Sequence, residues 1–557
     1  MGFFTVSSIR MRTLLSYLII ALVSGAFLFS NAFSSAAPAS AAAAGTSPFK
    51  IEKSTITPAA VVDPTKLSLS NEPGATLPKG TRPTRPVGNA GNASNITAPS
   101  SKLANAPAGA LLENFNGVGS RNSAKVNFGA EFEPPDQGLC VGNGFVIEPV
   151  NSAYTIYTTK GQVVAGPFNV NKLYNEGYKQ FTSDPRCFYD KTTNTWFAII
   201  LFISSNSQIG RTDLAVNTSG DPTKPWTVYH IDGTDPGGPG CPCFGDQPLL
   251  GIDSYNIYIS TNEFSITSPN FNGAQIYALS KSQLVALSKK VNVVHFSNLT
   301  VGSNVATSVQ PALTYGSSDA EYFMNSLDPF GTFDHRLGVW AMTDRQNVGK
   351  GGIPTLSRLV IGSETYGIPP KAEQMGSKSL LDSGDDRMQQ VQFINGSLWG
   401  ALDTAVTISH DTAARAGIAW FKVQPSLDGN MIGNATIQQQ GYVTLLGNYL
   451  LYPAIQASPE GTAAIVMTLT GATYFPSAAY TFMGANSSSF GTIHDAAPGY
   501  GSYYKKSTRW GDYSWAVLDP SGEAFWMATE YIPPLNSQTM DGKSNWGTRV
   551  LAVSVEN

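Results

Sequence analysis

One hairpin pattern recurs seven times along the chain, and this repeat limits the possible folds more than any other feature. Its copies are LCVGNGFVIEPVN from Leu139, RCFYDKTTNTWFAII from Arg186, LLGIDSYNIYISTNEF from Leu249, ALTYGSSDAEYFMNSL from Ala312, MQQVQFINGSLWGALDT from Met388, AIQASPEGTAAIVMTLT from Ala454 and WAVLDPSGEAFWMATEY from Trp515. Each joins a short apolar strand, a turn rich in Gly, Asn, Asp or Ser, and a second strand that ends in small residues. A third strand follows every copy: AYTIYTT, DLAVNT, AQIYALS, LGVWAMT, AGIAWFKV, SAAYTFM and TRVLAVSV. Six copies then continue into a more polar fourth strand. The seventh does not, while residues 111–118 (LLENFNGV) read as a strand ahead of the first copy with no partner of its own.

A repeat of roughly 40 to 50 residues built from four strands is the period of propeller blades. The chain is therefore expected to be all-β, a seven-bladed β-propeller in which the N-terminal strand completes the last blade. Closure has a physical motive, because an open array would leave an apolar blade face and unpaired backbone at each end. The competing reading is two separate β domains. Composition agrees with many short strands, since charged residues are only 13% while Gly, Ser, Thr, Asn and aromatics abound.

Residues 1–41 carry Arg10 and Arg12, an apolar run and a small-residue end at Ala39-Ser40-Ala41, the pattern of an exported leader, with an uncleaved membrane anchor as the alternative. Residues 42–109 are rich in Ala, Pro, Ser and Thr and are expected to be a disordered spacer ahead of the propeller at 110–557. That last part holds 26 basic and 36 acidic residues, which gives no basic footprint for nucleic acid. A secreted or cell-surface monomer without a membrane span in its mature form is the expectation.

The blade openings PPDQG, SDPRCFYD, GDQPLLGID, VQPAL and RWGDYSWAVLDP resemble those of bacterial secreted β-propeller proteins. That resemblance implies a structural signature and carries no assigned activity. In such propellers the residues before strand one and after strand two share the mouth of the central channel. The candidates for ligand binding there are Asp136, Asp184, Asp246 and Asp512 with Arg186, Arg387, Arg509 and Trp510. Three guanidinium forks gathered at one mouth would grip a carboxylate, an arrangement similar to the arginine cluster of sialidases. Glu263, Glu530 and Tyr513 are then the catalytic candidates. Against this stand the expected seven blades rather than six and the absence of an Arg-Ile-Pro motif or a matching Asp-box. The bland reading of the recurrent aspartates is that they cap turns at blade junctions.

Four cysteines in an exported chain are read as disulfides. Cys140 and Cys187 occupy nearly equivalent places on neighbouring inner strands, where a bond would staple blade one to blade two. Cys241 and Cys243 would pair with each other, stay as thiols or hold a soft metal. Asp382, Asp385 and Asp386 share one loop that would suit calcium, and no other cofactor is indicated. The five histidines are scattered, and phosphate-binding, dinucleotide and nucleophile-elbow motifs are missing. The reading that results is an extracellular binding or scaffold propeller recognising a glycan, a peptide or a cell-surface protein through its loop-rich rim. The alternative is a glycoside hydrolase or lyase acting on an acidic polysaccharide.

Overall fold

The computed structural model describes residues 49–67, 96–104, 111–127, 129, 132–302, 304–327, 333–503, 509–534 and 545–556. The expected leader at 1–41 lies outside them, as do residues 328–332 and 535–544, which follow the fourth and seventh hairpins. Among the described residues the antiparallel pairings group into seven successive four-stranded meanders. Their first strands are Cys140–Gly142, Phe181–Asp190, Cys243–Ile252, Gln310–Tyr315, Gln390–Ile394, Asn448–Ala457 and Trp515–Leu518. The molecule is an all-β propeller.

Local sequence explains the hairpins. Asn143 and Gly144 have φ of 48° and 80°, and Asn395 and Gly396 have 46° and 77°. A two-residue turn that follows the twist of its strands needs both central residues left-handed, and Asn-Gly supplies them at little strain. The seventh meander takes its fourth strand from Leu111–Gly119, which runs antiparallel to Gly547–Ser554 with Val550 opposite Phe115. Arg549 clamps this seam, Nε donating to Asn114 Oδ1 at 2.6 Å and Nη1 to Asn116 Oδ1 at 2.6 Å.

Apolar residues of adjacent meanders pack face to face. One cluster joins Phe197 and Ile199 of sheet two to Leu250 and Ile252 of sheet three and to Val517 and Trp526 of sheet seven. The axis is filled at its hairpin end by Tyr315, whose ring meets Phe188 edge-on at 6.0 Å. The Tyr315 hydroxyl donates to Gln456 Oε1 at 3.2 Å and accepts from the Leu518 N–H at 3.3 Å. Sheets two, four, six and seven therefore meet on one side chain. Cys140–Cys187 bonds sheet one to sheet two across a sequence separation of 47, a closure that stabilises by about 4 kcal/mol. Cys241–Cys243 forms the second disulfide.

Two regions depart from the sequence expectations. In sheet four the first strand pairs with its own second strand only at Gln310 and Pro311, then runs parallel to Gln390–Ile394 from Ala312 to Tyr315. Pro311 offers no N–H, and the turn at 316–320 is too long to hold the two strands together. The second departure concerns residues 42–109, whose described parts are not a disordered spacer. Lys50–Ile56 pairs with Val291–Ser297, and Pro58–Val62 pairs with Trp226–Asp232. Thr97–Ala98 and Leu103–Ala104 add short parallel bridges to sheets five and six. A low apolar content hid these strands because they bond to a sheet edge through backbone groups and leave most side chains in solvent.

Candidate functional site

Six of the seven blade openings place one residue in the left-handed region: Asp136 (φ 49°), Asp184 (57°), Gln247 (51°), Ser308 (44°), Tyr452 (52°) and Asp512 (56°). At Asp184, Gln247 and Tyr452 the inner strand bulges, with a proline next in sequence. Only residues able to secure such a backbone are tolerated without several kcal/mol of strain. Side chains at the end of a neighbouring second strand secure it. Asn151 Oδ1 accepts the Asp184 N–H at 2.9 Å, Asn262 Oδ1 accepts the Ser308 N–H at 2.8 Å, and the Asp403 carboxylate accepts the Tyr452 N–H at 2.9 Å. The carboxylates of Asp136 and Asp184 themselves accept from side chains, the first from Asn151 and the second from Ser183 and Tyr513.

Around this scaffold Asp136, Asp184, Arg186 and Tyr513 come together. Asn151 Nδ2 donates to Asp136 Oδ2 at 2.6 Å, and Tyr513 donates its phenolic proton to Asp184 Oδ2 at 3.0 Å. The Arg186 guanidinium stacks 3.8 Å from the centre of the Tyr513 ring and 5.0 Å from that of Trp515. Burial, reinforced by Asp184 and Asp512, pushes the Asp136 carboxyl well above the ordinary carboxylate range. Burial likewise pushes the Tyr513 hydroxyl up, with Asp184 adding to it, so this phenol is held as a donor.

The remaining candidates are tied to partners within the fold. Arg387 makes a bidentate pair with Asp385, its Nε and Nη2 both at 2.7 Å, and its Nη1 donates to Gln247 Oε1. Arg509 pairs with Asp512. Glu530 accepts the Gly511 N–H, and burial holds its carboxyl well above the usual range. It fixes the opening of blade seven from beneath. Asp246 sits half-buried in the first strand of sheet three, opposite Asn262.

Three expectations need correction. Trp510 offers no face to a ligand: it is fully buried, donates from Nε1 to Thr468 Oγ1 at 3.2 Å and packs against Tyr503. Among the described residues Asp382, Asp385 and Asp386 do not bring their carboxylates together as a metal-ligand group; Asp385 holds Arg387 and Asp382 accepts the N–H of Gly384 at 3.1 Å. Glu263 stands apart from the arginines. Its Oε1 accepts from Asn272 Nδ2 at 2.9 Å, beside Cys241 and Cys243, and burial pushes its carboxyl up to about 7. With both sulfurs in a disulfide, this group has no thiolate for a soft metal.

Two features escaped the sequence reading. In sheet two Asp213 takes Arg211 Nε at 2.6 Å and His230 Nδ1 at 2.7 Å, with Glu176 on the far side of Arg211. The strand alternation Arg211-Thr-Asp213 was the available signal, but Glu176 arrives from a loop 35 residues away. A cleft of about 480 Å³ opens at the hairpin end between sheets one and seven, lined by Asn143, Lys160, Asp519, Ser521, Glu523 and Trp526. It lies among the first-hairpin turns, away from the mouth.

No protein-family model and no curated protein matches the chain. Among solved structures it is similar to an α-L-arabinofuranosidase of Fusarium graminearum in complex with arabinobiose, at 9% identity over 79% of this chain and 98% of that one, TM-score 0.33. A Trypanosoma rangeli sialidase mutant gives 8% identity over 72% and 57%, TM-score 0.32. Drosophila plexin A in complex with semaphorin 1b gives 8% over 82% and 88%, TM-score 0.31. At such identities and superpositions these likenesses assign no activity, and the fold rests on the strand pairing described above.

Proposed function

We propose that this chain is an extracellular, seven-bladed binding or scaffold propeller that takes a glycan, peptide or protein partner at the mouth formed by its blade openings. The observation that carries this reading is the internal bonding of the catalytic candidates. Glu263 belongs to the Cys241–Cys243 corner, Glu530 to the Gly511 N–H, and Tyr513 to Asp184. Two of the three arginines are already paired with aspartates. The mechanism with two carboxyl groups flanking one glycosidic bond is not supported by Glu263 and Glu530, which are held at separate places in sheets three and seven. The disulfides fit an oxidising compartment. Among the described residues no helix is long and apolar enough to cross a membrane.

The long second hairpin of sheet five, Ser397–Ile408 with Ala414–Asp428, supports a partner site on this side of the ring. Loops and hairpins standing on a rigid scaffold are where recognition concentrates. A pull-down on immobilised glycans, cell-wall fragments and surface proteins tests the reading. Replacing residues 409–413 by a two-residue turn should reduce retention by about tenfold, the loss of one good contact. Unchanged retention would remove the mouth as the site. Turnover of an acidic polysaccharide that disappears in Glu263→Gln or Glu530→Gln would replace the binding reading by the hydrolytic one.

A further inference from the structure

Arg186 begins the regular pairing of the inner strand of sheet two, and its side chain is fully buried. Nη1 donates to the carbonyl oxygens of Pro185 at 2.7 Å and Asp136 at 3.2 Å. Nε and Nη2 are buried with no acceptor among the described residues, and no carboxylate there comes within ion-pair distance of the group. The rings of Tyr513 and Trp515 lie over the cation and offset part of its desolvation. They accept none of its N–H bonds. A buried charge left without a counter-charge or full hydrogen bonding is strongly unfavourable.

Two further blade-opening donors, Trp515 Nε1 and Gln247 Nε2, are buried with no acceptor among the described residues, and the Trp515 ring lies 5.0 Å from the Arg186 guanidinium. Gln247 is fixed at its other end by Arg387 Nη1, and Gln137 anchors the Tyr513 carbonyl through Nε2 at 2.6 Å. Among the described residues the nearby acids do not hydrogen-bond to Arg186 Nε or Nη2. The Asp184 carboxylate is turned to the hydroxyls of Ser183 and Tyr513. Asp136 is pushed toward its protonated form by burial first, then by Asp184 and Asp512.

We infer that the mouth end of the axial channel is a binding site for a small monovalent inorganic anion of the halide class, gripped by Arg186 Nε and Nη2 together with Trp515 Nε1. Small size follows from burial, since Arg186, Gln247 and Trp515 are each at most 1% exposed. A desolvated ion accepting several N–H bonds balances the guanidinium and locks sheets two and seven together at the axis. The site does not depend on a partner bound at the mouth, so it stands or falls separately from the proposal above.

The full chain is to be crystallised and soaked in sodium bromide, and its melting followed while chloride replaces acetate at constant ionic strength. A bromine anomalous peak within hydrogen-bonding distance of Arg186 is expected, with a melting temperature that rises with chloride and saturates. Arg186→Met should abolish both. Trp515→Phe keeps the charge and removes one donor, so half-saturation should need at least about fivefold more chloride; this variant decides the matter should Arg186→Met fail to fold. No peak at Arg186, or equal melting in chloride and acetate, would overturn the inference.

Discussion

The stretch of chain ahead of the first hairpin adds strands to two kinds of sheet edge, and the two are held differently. Leu111–Gly119 fills a vacant fourth position, and its last residues are buried. Glu148 of sheet one accepts the Val118 N–H at 2.8 Å, Thr548 donates to the Val118 carbonyl at 3.0 Å, and Arg549 holds Asn114 and Asn116. Lys50–Ile56 instead lies outside a sheet that already has four strands, and every residue but Ile56 is exposed. The first strand is part of the ring's core and the second is a sleeve on its rim. Closure depends on buried polar contacts between neighbouring sheets, whereas the sleeve depends on edge pairing, a few surface contacts such as Lys53 Nζ to the Gly351 carbonyl at 3.1 Å, and the buried side chains of Ile56 and Val62.

The largest test of this contrast is removal of residues 111–118. It should destroy cooperative unfolding and remove a free energy comparable with the whole stability, roughly 5–15 kcal/mol, as read by calorimetry and by loss of soluble monomer. A deletion that melts like the parent would show that the seam contributes nothing special.

A smaller effect comes from the acid in the seam. Burial pushes Glu148 up to about 7 from an ordinary 4.5, so the folded state binds its proton more tightly than the unfolded chain. Its contribution is complete below the unfolded value and is lost as pH rises through the folded one. Stability should fall by up to about 3 kcal/mol between pH 4.5 and 7.5 on this account. Glu263 at about 7 and Asp495 at about 6 act in the same direction. Urea melts across this range should show a shallower slope in Glu148→Gln, and an unaltered slope would sink the assignment.

The smallest effect should follow removal of residues 49–67. Unfolding should stay cooperative with a loss of at most about 2 kcal/mol. Hydrogen exchange should report lost protection confined to Val291–Ser297 and Trp226–Asp232. Loss as severe as that from removing 111–118 would erase the distinction between core and sleeve.

The hairpins were legible because alternation and Asn-Gly turns act over a few residues, and the spare strand at 111–118 was legible by subtraction. The mouth was legible in part. The repeat puts Asp136, Asp184 and Arg186 at equivalent heights, and in the structure Tyr513 bonds Asp184 and lies against Arg186. Trp510 was misassigned because nothing local separates an aromatic that packs against Tyr503 from one that faces solvent. The pairing of Arg387 with Asp385 sits two residues apart in sequence, yet which way the side chain turns is set by Gln247, 140 residues away.

Within the repeat, the sequence by itself determined the kind of element, the order of the sheets and the partner of the last one, since each follows from short-range periodicity and from the drive to cover unpaired edges. Tertiary structure alone decided which charges neutralise one another, which indoles are buried and where a guanidinium is left uncompensated. Those outcomes depend on distances between side chains carried by different sheets, and electrostatic and desolvation energies change by several kcal/mol over a few ångströms.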